Sequence, residues 1–158
     1  MRQVRVQHEP LDPLAEQAVF NDTDGRVGAV VSFTGLMREF GAEGAVDGMF
    51  LEHYPGMTEQ ALDALAAQAE QHWPLTALIL VHRVGWLAPG DPIVFVGVSS
   101  AHRAAAFRAC EFLIDALKTR VPLWKKETSG TAERWVEARD SDEVAARRWT
   151  EATARDPE

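Results

Sequence analysis

The lysines of this 158-residue chain are confined to one short window. Lys118, Lys125 and Lys126 are the only three, within the run LKTRVPLWKKE, whereas thirteen arginines are scattered from Arg2 to Arg155. Lysine differs from arginine because its pKa falls readily when the amine is buried or placed beside another cation, so it can act as an acid, a base or a nucleophile near neutral pH. The window therefore predicts an anion-binding pocket with a titratable pair, and chance clustering is the alternative.

The pattern around the window also offers a simpler interpretation of Lys118. It falls in the last turn of a predicted helix, where the helix dipole favours a cation. Lys125 and Lys126 are adjacent in a predicted strand, so they point to opposite faces. A helix end, a turn that starts with proline and the following strand could bring Lys118 and Lys125 to one pocket.

A second group of basic residues lies at the start of the same predicted helix. His102 and Arg103, within SSAHRAAAFR, fall in its first turn, where a cation opposes the dipole but free N–H groups bind anions. Arg38, just after FTG, could clamp an anion with two hydrogen bonds. A bound phosphate or carboxylate would explain all three positions, although a solvated surface explains each of them singly about as well.

Composition and motifs argue against several other classes of protein. The formal net charge of −8 and the pI near 5.1 argue against bulk nucleic-acid binding. Cys110 is the only cysteine, so an internal disulfide is impossible, and its place on an apolar stripe indicates a core residue rather than a nucleophile. The histidines lack ligand-like spacing, so we expect no metal site. Without a signal peptide or a long apolar run, we expect a cytoplasmic protein that does not enter a membrane.

The elements that must position these residues are predicted from apolar runs, caps and turn residues. Strands are predicted at 3–8, 28–35, 48–54, 76–86, 92–100, 123–129 and 133–139, and helices at 12–20, 57–73, 102–120 and 141–149. The order has no strict β-α repeat, which favours the α+β class: a mostly antiparallel sheet with two main helices packed on it and a small antiparallel β subdomain. We expect one domain over residues 1–150 and a disordered tail at 151–158.

Three local details are expected within these elements. Thr58 would cap the second helix. Phe107 would lie on the buried stripe of the third helix, together with Cys110. Trp124 and Trp135 would pair across the last hairpin.

Six runs of the chain resemble the catalytic large subunit of molybdopterin synthase. They are FTGLMR (33–38), LEHYPGMTEQAL (51–62), HRVGWLAPGD (82–91), VFVGVSSAHRAAAF (94–107), LKTRVPLWKKE (117–127) and RWVEARD (134–140). They occur in the order of that family. LEHYPGM, SAHR before a helix and LKTR-x-P-x-WK are its most specific runs.

The resemblance implies an α/β hammerhead fold with an added antiparallel β subdomain, and a sulfurtransferase activity without a bound cofactor. The family converts cyclic pyranopterin monophosphate into molybdopterin by installing two dithiolene sulfurs, a step of molybdenum cofactor biosynthesis. The sulfur arrives as a thiocarboxylate on the C-terminal Gly-Gly tail of a small ubiquitin-like partner subunit. Two large subunits form a homodimer at the centre of a heterotetramer.

By the same resemblance, Lys118 and Lys125 take the catalytic places. The substrate-binding positions fall on Arg38, His102, Arg103, Lys126, Glu127 and Arg139. One hypothesis is that Lys118 polarises the thiocarboxylate carbonyl and Lys125 holds the phosphate or moves the proton when the cyclic ester opens; the sequence does not decide which lysine takes which role. Leu36 departs from the family, which often has a basic residue there, so Arg38 must make more of the phosphate contact. A mobile loop at 40–46 would close over the substrate.

Two other functions could use the same residues. A pure binding module would dock the ubiquitin-like tail without chemistry, and it would need no phosphate-binding cluster. A phosphate-ester hydrolase would turn over without any partner protein.

Overall fold

The computed structural model describes residues 1–21, 25–41, 44–136 and 140–152. Strands and helices alternate along it without a strict repeat. In chain order the elements are β1 (Arg2–Gln7), α1 (Pro13–Ala18), β2 (Ala29–Leu36), β3 (Phe40–Gly41), β4 (Gly44–Ala45), β5 (Gly48–His53), α2 (Met57–His72), β6 (Leu75–Arg83), β7 (Gly85–Leu87), β8 (Pro92–Ser100), α3 (Arg103–Arg120), β9 (Leu123–Ser129), β10 (Ala132–Val136) and α4 (Asp140–Ala152). The predicted α+β class is confirmed.

The first sheet has the strand order β1-β6-β8-β2. β1 runs parallel to β6, and the other neighbours are antiparallel. The apolar runs of β6 and β8 do not alternate because both faces of the sheet are covered. Leu78 and Leu80 pack beneath the long helices, while Ile79 and Val81 pack with Leu11 and its neighbours on the other face.

The helices α2 and α3 pack side by side on one face of this sheet. An aromatic cluster closes the core beside them: the Phe112 ring lies 5.4 Å from that of Trp73 and 5.6 Å from that of Trp149. α4 is fastened to α3 because Arg148 and the Trp149 indole both donate to the Asp115 carboxylate, at 2.6 and 2.8 Å.

The second sheet has the order β10-β9-β5-β7 and is antiparallel throughout. It is the small subdomain expected from the sequence. Its inner face buries the apolar side chains of Met49, Leu51 and Leu87. Its outer face exposes a row of large aromatic side chains, Phe50, Trp86, Trp124 and Trp135.

Two of the local expectations on the helices are wrong. Gly56, not Thr58, occupies the N-cap of α2, and the Glu59 carboxylate accepts from its N–H at 2.7 Å. The buried Thr58 hydroxyl instead donates to the carbonyl of Pro122 at 3.0 Å, which ties α2 to the start of β9. Phe107 is 62% exposed. The small side chains of Ala106 and Ala109 face the sheet in its place, which lets α3 lie close to the strands.

The expected pairing of Trp124 with Trp135 is also wrong. The register of the last hairpin places Trp135 opposite Lys126, while Trp124 lies opposite Glu52 on β5. The pair across the hairpin is therefore a cation over a ring, with the Lys126 amine 5.7 Å from the Trp135 centroid.

Two expectations reach into parts of the chain outside the described residues. The ends of the loop at 40–46 pair as β3 and β4, and residues 42–43 lie outside, so its mobility stays a prediction. α4 continues to Ala152, and residues 153–158 of the expected tail also lie outside. Among the described helices, none combines the length and the apolar character needed to cross a membrane.

Candidate active site

Lys118 and Arg38 lie at the same end of the first sheet. α3 runs back along β8, and the Cys110 thiol sits 4.0 Å from the carbonyl of Val96, which places mid-helix beside mid-strand. Lys118 is about 12 Å further along the helix, at the level where β8 begins. Leu36, at the end of β2, pairs with that first residue of β8, and the exposed Arg38 follows it.

The Lys118 amine is presented to solvent and to one carboxylate. Its side chain is 45% exposed, and Nζ lies 3.5 Å from Oδ1 of Asp142 on α4. Because nearly half of the Lys118 side chain is exposed, an incoming anion can reach its amine without unfolding any element.

Lys125 follows on β9 after a tight turn. It lies opposite Leu51 of β5 and Val136 of β10, so it shares the inner face of the second sheet. The residue keeps solvent access at the margin of this face. The structure thus places Lys118 and Lys125 on two consecutive elements, as expected.

Lys126 points to the outer face, which confirms that the adjacent lysines face opposite ways. Its amine donates to the Glu133 carboxylate at 3.0 Å. Glu127 returns to the inner face, where its carboxylate accepts from Arg134 at 3.2 Å. Lys126 is therefore engaged in a surface pair across the hairpin, apart from the face that carries Lys125.

Two histidines near Lys125 were not recognised from the sequence. His82 is 3% exposed, and its Nδ1 lies 2.8 Å from the carbonyl of Arg83. Burial lowers the pKa of His82 to about 4, although the Arg83 carbonyl favours the charged form, and the nearby Lys125 and His53 lower the pKa further. A signal was available, because His82 is the one polar residue of the otherwise apolar run ALILVH.

His53 is the second of these residues. It ends β5, and its Nε2 lies 3.6 Å from Oε1 of Glu59 on α2. Its ring also meets that of His8 edge-on, with 5.9 Å between the centroids. The lysine end of the fold thus carries imidazoles from several elements.

His102 and Arg103 lie at the other end of α3. His102 is its N-cap residue and Arg103 its first helical residue, and both are exposed. Lys118 follows His102 by sixteen positions along the helix, or about 24 Å. Within one chain, the structure does not bring these two residues to the lysines.

The segment before His102 is held against β2. Gly28 donates its N–H to the carbonyl of Ser100 at 3.0 Å. A Cβ on Gly28 would lie 2.2 Å from the carbonyl oxygen of Ala101, so only glycine permits this close approach.

Two residues singled out from the sequence remain, Arg139 and Cys110. Arg139 lies outside the described residues. Cys110 is buried, as expected, and burial raises the pKa of its thiol to about 11, with a further contribution from Glu111. A thiol in that state is a poor nucleophile at neutral pH.

A separate groove of about 780 Å³ lies between β1 and α2. Its walls include Arg2 and Asp63, whose charged groups are 3.3 Å apart, and none of the sequence-predicted site residues lines it. The groove is therefore distinct from the lysine end of the fold.

Comparison with known proteins assigns the chain to a family. The family described as MoaE protein matches residues 6–120. The molybdopterin synthase catalytic subunit of Pseudomonas aeruginosa is 55% identical over 148 residues, covering 94% of this chain and 99% of that protein. The Escherichia coli catalytic subunit is 54% identical over 122 residues, covering 77% and 81%.

Solved structures agree with this assignment. Molybdopterin cofactor biosynthesis protein E from Burkholderia multivorans superposes with a TM-score of 0.78 at 47% identity, covering 95% of this chain and 97% of that one. Molybdopterin synthase from Staphylococcus aureus superposes with a TM-score of 0.78 at 35% identity, covering 87% and 98%. The chain therefore belongs to the MoaE family of molybdopterin synthase catalytic subunits.

Proposed function

We propose that this chain transfers sulfur from the C-terminal thiocarboxylate of a small ubiquitin-like subunit to cyclic pyranopterin monophosphate, and so forms the dithiolene of molybdopterin. The observation that carries the proposal is the convergence of Arg38, Lys118 and Lys125 at one end of the fold, on the runs typical of the family. These cations suit a substrate that carries a phosphate and a donor that ends in an acidic group.

The surroundings of the two lysines differ, and this difference suggests a separate role for each. Lys118, on the solvent side and paired with Asp142, would orient the thiocarboxylate and polarise its carbonyl as sulfur attacks the pterin side chain. Lys125, on the inner face near two imidazoles, would move the proton when the cyclic phosphate opens. Arg38 would bind the phosphate with its two-pronged guanidinium.

The active unit contains two copies of the chain. His102 and Arg103 are exposed and lie about 24 Å from Lys118 in the same chain. A second copy related by a two-fold axis can place its own helix start beside the lysine end of the first, and reciprocally. The homodimer expected from the sequence then supplies each site with basic residues from both copies, and one small subunit docks at each site.

The test combines the purified chain, the thiocarboxylated partner and cyclic pyranopterin monophosphate, followed by an assay for molybdopterin. We expect molybdopterin only when the partner tail carries the thiocarboxylate. Turnover of the cyclic phosphate without any partner would support a phosphate-ester hydrolase instead. Tight binding of the partner with no product from the cyclic substrate would support a pure binding module.

A further inference from the structure

We propose that Asp91 is a positioning residue for Arg38: its carboxylate fixes the turn at 88–91, and this turn holds the backbone that carries Arg38. The inference rests on the proposed function, in which Arg38 binds the phosphate of the substrate. It gives a role to the run HRVGWLAPGD (82–91), which the sequence singles out and from which the proposed chemistry takes no reacting group.

The chain reverses between β7 and β8 in a turn whose shape its own residues determine. The N–H of Asp91 donates to the carbonyl of Ala88 at 3.0 Å, which closes a four-residue β-turn. Pro89 takes the second position of this turn and Gly90 the third, where φ is +89°. Proline followed by a residue with positive φ is the combination that defines a type II turn, and glycine adopts that φ without strain.

The carboxylate of Asp91 closes the same turn a second time and ties it to the first sheet. Its Oδ2 accepts from the N–H of Ala88 and from Nη1 of Arg83, both at 3.0 Å. Arg83 is the last residue of β6, and its Nη2 also donates to the carbonyl of Trp86 at 3.4 Å. Because only 13% of the Arg83 side chain is exposed, solvent screens this pair less than it screens an ion pair on the surface.

Two backbone hydrogen bonds then join the turn to Met37, the residue before Arg38. The N–H of Met37 donates to the carbonyl of Asp91 at 2.9 Å, and the N–H of Gly90 donates to the carbonyl of Met37 at 2.8 Å. The side chain of Met37 is buried. The turn and the core thus fix Met37 together, and the direction in which the chain continues to Arg38 is fixed with it.

The support is needed because regular strand pairing ends just before Met37. The register between β2 and β8 shifts after Gly35, and the last pair joins Leu36 to Pro92. Pro92 has no N–H, so it cannot donate to a continued ladder. The turn before β8 supplies the hydrogen bonds that the ladder no longer provides.

The backbone is also held on the other side of Arg38. The carbonyl of Glu39 accepts from the N–H of Val46 at 2.7 Å. The exposed side chain of Arg38 therefore extends from a short segment that is bonded at both ends.

A displaced backbone at Arg38 should weaken the binding of a phosphate. A guanidinium forms two parallel hydrogen bonds to an anion only when its plane and its distance match the anion. A shift of about 1 Å in the segment that carries it can remove that match. Loss of the Asp91 carboxylate should therefore appear as weaker binding of the cyclic substrate, while the binding of the partner subunit is unaffected.

The first test is a graded series of substitutions at Asp91. Asp91→Asn keeps an acceptor for both bonds, Asp91→Ser keeps one within reach of Ala88 alone, and Asp91→Ala keeps neither. We expect the KM for cyclic pyranopterin monophosphate to stay within about twofold in Asp91→Asn, and to rise about threefold in Asp91→Ser and about tenfold in Asp91→Ala. The kcat and the affinity for the partner should change by less than about twofold. A wild-type KM in a folded Asp91→Ser or Asp91→Ala protein would overturn the inference.

The matched control is Asp63→Ala. The Asp63 carboxylate pairs with Arg2 at 3.3 Å in the groove between β1 and α2, away from the lysine end of the fold. This variant loses one carboxylate of an arginine–aspartate pair, as Asp91→Ala does, so the KM should stay within about twofold of wild type. An equal rise of the KM in both variants would mean that the lost charge alone matters, and the positioning role would be wrong.

A double-mutant cycle ties the effect to Arg38. On the Arg38→Ala background, Asp91→Ala should cause no further loss of kcat/KM, since the guanidinium that it positions is already absent. Equal losses on both backgrounds would show that Asp91 acts through the general stability of the site, against the inference.

A binding measurement requires neither turnover nor the partner subunit. In a calorimetric titration with cyclic pyranopterin monophosphate, we expect Asp91→Ala to bind about tenfold more weakly than wild type, and Asp63→Ala to bind as wild type does. Equal affinities of wild type and Asp91→Ala would overturn the positioning role and leave the proposed sulfur transfer standing. If the wild-type protein itself does not bind the cyclic substrate, the proposed function fails, and the positioning role fails with it.

Discussion

His102 and Lys118 stand at opposite ends of α3, which holds them about 24 Å apart. Both lie in the basic groups that the sequence singles out, yet a straight helix cannot fold its two ends together. A site that needs both residues must therefore take them from different copies of the chain, and this arrangement can be tested by mixing variants.

We expect two inactive variants to restore activity when combined. One carries His102→Ala and Arg103→Ala, and the other carries Lys118→Ala and Lys125→Ala. In a mixed dimer, one site receives intact lysines from the first copy and intact basic residues from the second, while the other site receives neither. After unfolding and refolding equal amounts together, molybdopterin formation should return to about a quarter of wild type.

The control for this experiment is each variant refolded alone, which should remain inactive. A mixture of the His102→Ala, Arg103→Ala variant with a second variant altered in the same residues should also stay inactive. If the first mixture shows no recovery although mixed dimers form, each site is built within one chain.

The three lysines should contribute unequally to turnover. Lys118→Ala and Lys125→Ala should each lower the rate of molybdopterin formation by about a hundredfold or more, because each removes a group that contacts the reactants. Lys126→Ala should stay within about threefold, since its amine is committed to Glu133 on the outer face. Lys125→Arg should remain slow, because a guanidinium keeps the charge but does not exchange its proton. A rate restored by arginine would show that charge alone is needed there.

The same substitution at two phenylalanines of α3 should have very different effects on stability. Phe112 is 2% exposed and Phe107 is 62% exposed. Phe112→Ala should lower the free energy of unfolding by about 3–5 kcal/mol, because it opens a cavity between Trp73 and Trp149. Phe107→Ala should change it by less than about 1 kcal/mol. Urea unfolding of both variants measures the difference, and comparable losses would contradict the burial of Phe112 and the exposure of Phe107.

The stability of the fold should fall in mildly acidic solution because of His82. Its pKa is lowered from 6.5 to about 4 in the folded protein, so the unfolded chain binds a proton more readily between these values. The contribution of the neutral imidazole is therefore complete above pH 6.5 and is lost as the pH falls to about 4, by up to about 3 kcal/mol. Urea unfolding across this range measures the slope. His82→Asn should flatten it, and an unchanged slope in that variant would assign the effect to other groups.

Cys110 should be inert in the folded protein and dispensable for sulfur transfer. Its thiol is buried with a pKa near 11, so iodoacetamide should not alkylate it at neutral pH until denaturant is added. Cys110→Ala should form molybdopterin at a near-normal rate, since the sulfur comes from the partner tail. Loss of activity in a folded Cys110→Ala protein would indicate that this thiol carries sulfur.

Strands and helices were predictable wherever one local rule determined them. Asp12 accepts hydrogen bonds from Leu14 and Ala15 at the start of α1, as an aspartate before a proline indicates. Thr58 misled because a threonine near a helix start can cap it or reach elsewhere, and the carbonyl that it reaches, that of Pro122, is 64 residues away in the sequence. The burial of Phe107 was predicted wrongly because Ala106 and Ala109 satisfy the same helical spacing and allow closer packing against the sheet.

The candidate site was predictable in its residue types but not in its geometry. The lysine window and the SAHR run could be read directly, and the alternation of a strand correctly separated Lys125 from Lys126. The helix predicted over 102–120 already separates the two basic groups, but the sequence does not show whether a single chain can bring them to one site. His82 was not recognised because burial in the fold lowers its pKa, and no sequence motif indicates that burial.

The placement of the amines has a practical consequence for chemical labelling. The amino group of Met1 donates to the carbonyl of Thr76 at the start of β6, and the other primary amines are the three lysines of one window. Among these, the Lys118 side chain is 45% exposed and that of Lys126 is 27% exposed. An acylating reagent can therefore modify Lys118 and Lys125 at the site and Lys126 on the outer face of the second sheet. Protection of Lys118 and Lys125 relative to Lys126, measured by peptide mass spectrometry, reports whether the site is occupied.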